Sequence, residues 1–153
     1  MKDIHEDIIS KEEIEDIVTK VHKEIVEQYI NWEYKGGFCK FKVNVQNEEG
    51  YPLKLVGTYS LKTGAFSFAF LLGRRRIRGL DCGSKVHHNP DCQKIKGIHK
   101  HKWTDEHQDR KAYVPKDIDC SDVVEVFKAF LKECNISFRG TLRKPPKTLY
   151  NFI

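Results

Sequence analysis

Between Phe38 and Ile77 the chain alternates apolar and polar residues with a period of two, and that alternation leaves it few folds to choose from. Phe38, Lys40, Lys42 and Asn44 interleave with Cys39, Phe41, Val43 and Val45, as in a strand that shows one face to water. Asn47-Glu48-Glu49-Gly50 supplies a turn. Leu53 to Leu61 and Ala65 to Leu72 read as two further strands, joined at Lys62-Thr63-Gly64, where glycine can take the positive φ of a tight turn. Arg74 to Arg78 continues the last strand or begins another. If it is extended, Arg74, Arg76 and Arg78 share one face, and Arg75 and Ile77 the other.

Both flanks are helical in pattern. Ser10 and Glu13 form a Ser-x-x-Glu capping box. Ile14, Ile17, Val18, Val21, Ile25 and Tyr29 then recur at three- and four-residue spacing, which predicts a helix over residues 10–30 that Gly36-Gly37 terminates. Its apolar stripe packs on the core or serves a protein partner or a second copy of the chain. Residues 79–97, rich in glycine and carrying Asn89-Pro90-Asp91, read as irregular. Ile98 to Trp103 and Lys111 to Val114 read as short strands. Asp119 is placed to cap a second helix, with Val123, Val124, Phe127, Phe130, Leu131 and Cys134 on its apolar side. Asn135 would stop it, Ile136 to Phe138 would add a strand, and the basic tail 139–153 is expected to be mobile. The result is an α+β fold in a single domain over 1–153: an N-terminal helix, a mostly antiparallel four- to six-stranded sheet as sandwich or half-barrel, and a second helix near the C-terminus.

Charge is unevenly spread. Residues 1–30 hold four Lys or Arg against nine Asp or Glu, residues 71–116 twelve against five, and residues 136–153 four against none. A basic surface of this kind suits a polyanionic partner, nucleic acid first, although an acidic helix lying over a basic sheet gives the same segregation. No apolar run is long enough to span a bilayer and the first ten residues lack a signal-peptide pattern, so a cytoplasmic protein without membrane contact is expected. Five scattered cysteines point to reduced thiols, Cys82 and Cys92 among them, rather than a disulfide framework.

The stretch from Arg74 to Pro115 holds five of the seven histidines: His87, His88, His99, His101 and His107. A packed core would not take so many ionisable side chains, because each buried charge costs several kcal/mol unless paired. On a strand His99 and His101 stand side by side. One use of such a pair is acid/base catalysis on a phosphodiester, one ring taking a proton and the other giving one. His99 and His101 are then the catalytic candidates and His87 a third, with Asp81 or Asp91 orienting an imidazole. Arg74, Arg76, Arg78, Lys100, Lys102 and Arg110 would bind phosphate. A second use is a metal site on His87, His99 and His101. His99-x-His101 with Glu106 is similar to the first cupin motif, but that motif's glycines and its downstream partner are missing. The third is a solvated polar face with no ligand.

His87-x-Asn89-Pro90-Asp91, followed by His99-x-His101-x-Trp103 and Lys111-Ala112-Tyr113, resembles a family of small uncharacterised bacterial and phage proteins over about residues 75–135. The resemblance singles out His87, Asn89, Asp91, His99 and His101 without naming a reaction, and by analogy suggests toxin–antitoxin or phage–host conflict systems. Cys92 stands where that family has glycine, and Trp103 where it has tyrosine. The leading expectation is an RNA-directed protein, RNA rather than DNA, acting as a metal-independent, toxin-like endoribonuclease and calling for no cofactor. The alternatives are a non-enzymatic nucleic-acid binder or inhibitor of a host defence nuclease, and a histidine-rich metal-binding protein.

Overall fold

The computed structural model describes residues 9–83, 86–88, 94–96, 99–104, 108–113 and 122–146. Helix α1, Lys11–Thr19, opens on Ser10, whose side chain accepts from the Glu13 N–H as the capping box predicts. It is half the expected length. After it come β1 (Lys23–Ile25), β2 (Tyr29–Ile30) and β3 (Glu33–Tyr34), where the spacing had predicted helix to Tyr29. Tertiary pairing overrides local periodicity here, since β1 fills a place in the sheet and buries Ile25.

The meander follows as read: β4 (Phe38–Asn47), β5 (Leu53–Ser60), β6 (Phe66–Leu72) and β7 (Arg75–Cys82). Gly50 and Gly64 take φ of 76° in the two expected turns. Beyond it, β8 (Val86–His88) and β9 (Lys94–Lys96) pair as a separate hairpin within the span read as irregular. Then come β10 (His99–Thr104) and β11 (Gln108–Tyr113). Helix α2, Val123–Glu133, is capped by Asp122, whose carboxylate accepts from the Val124 and Glu125 N–H groups; the expected cap Asp119 lies outside the described residues. Asn135, with φ 55°, stops the helix, and β12 (Ile136–Phe138) and β13 (Thr141–Leu142) end the described chain.

Among the described residues the main sheet runs β11-β10-β7-β6-β5-β4-β1-β12, with β3 also on β4. It curls into a half-barrel. Most of its pairings are antiparallel, but β1–β12 is parallel, so the sheet is mixed; β2 and β13 form a separate parallel pair. Part of the tail expected to be mobile is therefore fixed: Trp32 Nε1 donates to the Arg143 carbonyl at 2.9 Å and Arg143 N–H to that of Ile30 at 3.0 Å. The tail beyond residue 146 lies outside the description.

Both helices cover one face of the sheet. Ile14, Ile17 and Val18 of α1 and Val126, Phe127 and Phe130 of α2 pack there with Phe41, Leu55, Phe68, Phe70 and Leu80. Ile14, Ile17, Val18 and Ile25 of the stripe that could have served a dimer are thus inside this chain's own core, while Val21 is half-buried and Tyr29 is exposed. Gly57 matters to it: a Cβ there would stand 2.1 Å from Phe41 Cε2, so the bare backbone is what lets the Phe41 ring lie across β5 and meet Phe127 at 5.7 Å. Among the described residues no helix is long and apolar enough to cross a membrane.

Candidate nucleic-acid interface

The expectation that Arg76 and Arg78 share a face fails at one residue. In the β6–β7 ladder Arg78 stands opposite Phe70 and Arg76 opposite Leu71, so Ile77 is an extra residue, a β-bulge. Neighbours on β6 point to opposite faces, and the bulge therefore sends Arg78 under the helices and Arg76 to the helix-free face. Arg74 is exposed in the turn before β7.

Two of the expected phosphate ligands turn inward. Arg78, 6% exposed, pairs with Glu15 of α1, and Lys100, 8% exposed, pairs with Glu133 of α2 at 3.2 Å. These are bonds between sheet and helix, and they account in part for the segregated charge seen in the sequence. A third cation beneath the helices was not foreseen. Lys23 is fully buried, and its Nζ donates to the carbonyls of Ile17, Val18 (3.0 Å) and Val21 (2.7 Å), satisfying the C-terminus of α1. Burial pulls its pKa down to about 8, against a smaller raising influence from Cys134. Burial, reinforced by Glu133, pushes the Cys134 thiol well up. The sequence did hold a signal for Lys23: Val21, Lys23 and Ile25 alternate as a strand does.

On the helix-free face the register lays side chains in rows across the sheet. One row runs Glu33, Lys40, Thr58, Ser67, Asp81 and the register position of His99; the next runs Lys42, Val56, Ala69, Gly79, His101; a third runs Asn44, Lys54, Leu71, Arg76. The middle is floored by small residues, with the Thr58 and Ser67 hydroxyls hydrogen-bonded. Phe38, Lys40 and Lys42 stand exposed in succession along β4, Phe38 at 44%. Lys54 and Arg76 are half-buried.

His101 is 3% exposed, at one end of this floor. Its Nδ1 lies 3.0 Å from the Arg76 guanidinium and its Nε2 3.1 Å from Asp81 Oδ2. A guanidinium can only donate, so Nδ1 accepts and the ring's proton sits on Nε2, donated to Asp81. Gly79 makes the arrangement possible, since a Cβ there would stand 3.0 Å from Arg76 Cδ and 3.3 Å from His101 Cβ. Asp81 is thereby brought to an imidazole as expected, and Arg76 is aimed by one.

His99 holds the register position opposite Asp81, Lys102 that opposite Arg78, and His87 that opposite Ile95; Arg110 is on β11. The side chains of these four lie outside the description, as do Asp91 with its Asn-Pro-Asp turn, Cys92 and Glu106. Among the described residues no group of three His, Cys, Asp or Glu side chains could hold a metal ion. Cys39 and Cys134 are buried free thiols. Cys82, by contrast, is disulfide-bonded, which corrects the expectation of a reduced thiol there. Scattered spacing gave no pairing signal for it.

Comparison with known proteins adds one match: the model of a family of unknown function (DUF6978) covers residues 9–136. No curated protein and no solved structure matches the chain.

Proposed function

Since the chain belongs to that family of unknown function, its reading proceeds from its own residues, and we propose that it binds single-stranded nucleic acid, RNA in the first place, on the helix-free face of the sheet. The observation that carries the reading is the exposed run Phe38, Lys40, Lys42 on β4, with Lys54 and Arg76 across the same face. Single strands are held by cations that track the backbone and by aromatic rings on which bases stack. A large apolar ring exposed beside lysines, at the edge of a face whose middle is floored by small side chains, is suited to the second task. His101 takes a supporting part: buried, with both ring nitrogens engaged, it fixes Arg76 rather than exchanging protons with a ligand.

Fluorescence anisotropy with a labelled oligouridylate tests the reading. Lys40→Glu/Lys42→Glu should weaken binding by at least tenfold and Phe38→Ala by several-fold; unchanged affinity in both rejects it.

One observation favours a second reading, the endoribonuclease. His101 donates to a partly exposed Asp81, opposite which His99 is registered, and a carboxylate-oriented imidazole beside a second histidine is the equipment of metal-free phosphodiester cleavage. RNA cleaved in EDTA, and left intact by His101→Ala, would establish it and reopen the toxin-like role; RNA intact after prolonged incubation with the wild type removes it.

A further inference from the structure

A groove of about 530 Å³ lies elsewhere on the molecule, between α2 and the strands that follow it. Its apolar lining includes Phe127, Leu131, Ile136, Phe138 and Leu142. We propose that it takes an extended acidic peptide of another protein, added as a strand to the outer edge of β12.

Three features of the groove point to that occupant. First, β12 ends the sheet: among the described residues it has β1 on one side and no strand on the other. Such an edge presents backbone donors and acceptors to an incoming chain. Three residues of strand span roughly 10 Å, room for a short peptide segment. Second, the groove walls are fixed. Asn135, at positive φ between α2 and β12, donates from Nδ2 to the carbonyls of Thr19 and Val21, which ties the helix–strand corner to the end of α1. Gly140 then turns the chain so closely that a Cβ would stand 2.3 Å from the Gln28 carbonyl oxygen, and this turn brings Leu142 back to line the groove. Third, the rim is basic. Lys128 and Lys132, one helical turn apart and both exposed, line it, and no Asp or Glu is among its described lining residues. Glu125, beside it, pairs with Lys128 across an exposed surface at 3.3 Å, a contact worth little in water. Exposed Arg139 follows directly on β12.

A phosphate backbone would also be drawn to these cations. The apolar floor and the strand edge beneath them suit a peptide better, since alternate apolar side chains can enter between helix and sheet while the carboxylates reach the lysines. The volume is within the roughly 300–1,000 Å³ usual for sites that bury a compact ligand.

The probe is the labelled, acetylated and amidated peptide Glu-Val-Glu-Leu-Glu-Val-Glu, titrated with the full chain. Saturable binding is expected. Lys128→Glu/Lys132→Glu should weaken it at least tenfold while the circular dichroism spectrum and oligouridylate binding stay unchanged, which separates this site from the sheet face. N-methylation of alternate peptide nitrogens, which leaves the protein untouched, should also cost at least tenfold, because strand addition needs those donors. Absence of saturable binding, equal binding by the double variant, equal binding of the N-methylated peptide, or displacement of the peptide by oligouridylate would each overturn the proposal.

Discussion

Lys23 shows how far a single residue can sit from its composition. An ammonium with no exposed surface is tolerated because three carbonyls at the end of α1 take its three protons. The desolvation that lowers its pKa to about 8 makes the charged form costly in the fold. Between pH 8 and about 10.5 the unfolded chain holds a proton at this site that the folded chain has released, so stability rises with pH there. Relative to Lys23→Met, the wild type should gain about 3 kcal/mol over that window, the slope approaching about 1.4 kcal/mol per pH unit in its middle and falling off at both ends. Urea denaturation of both proteins at pH 7.5 and 10 measures it, and the comparison removes most of the opposite effect of Cys134, which both proteins carry. Gly79 permits a second test at this scale. Gly79→Ala places a methyl against Arg76 and His101, and should weaken oligouridylate binding several-fold while lowering stability by only about 1 kcal/mol. The density of histidines was legible in the sequence. Which ring is buried, and that Arg76 is its partner, was not, because that depends on one inserted residue in β7.

Among the elements, β4 to β6 could be read almost residue by residue, since a period of two with glycine turns has one good solution and no distant partner is needed to specify it. The first helix was overread for the opposite reason: Val21 and Ile25 fit a helical stripe and a buried strand equally well, and only the pairing of β1 with β4 and β12 decides. The bulge at Ile77 likewise leaves no local mark, and it alone separates the arginine on the helix-free face from the one beneath the helices. That division predicts distinct phenotypes. Glu15→Ala, which leaves the Arg78 guanidinium buried without its carboxylate, should cost about 2 kcal/mol, less than a fully buried pair because Glu15 is partly exposed. Oligouridylate affinity should stay the same. Equilibrium unfolding and anisotropy on the same preparation distinguish the two effects. At the end of β7, the disulfide at Cys82 should make the fold sensitive to reductant. Dithiothreitol is expected to lower stability by about 2 kcal/mol or more, measured as a drop in Tm, and the reductant should have no further effect on Cys82→Ala.

For the molecule as a whole, charge segregation has two physical sources. Part is internal neutralisation, Glu15 with Arg78 and Glu133 with Lys100, which locks the helices over the sheet. The remainder lies on the surface, and the helix-free face is where it can act at a distance. If four cations there, Lys40, Lys42, Lys54 and Arg76, neutralise phosphates, the logarithm of affinity should fall with that of salt at a slope of about −2 to −3 for a single strand. Lys40→Gln/Lys42→Gln should flatten the slope by about 1.4. A salt-independent affinity would mean that the cations do not meet phosphate at all.

The parallel pairing of β1 with β12 has a consequence for biosynthesis. Lys23 finds its neighbour at Ile136, and Tyr29 finds Thr141, so the earliest strands wait for residues translated more than a hundred codons later. Until those residues leave the ribosome, one flank of the nascent sheet is an open seam. Its closure couples the maturation of the sheet to the emergence of β12 and β13.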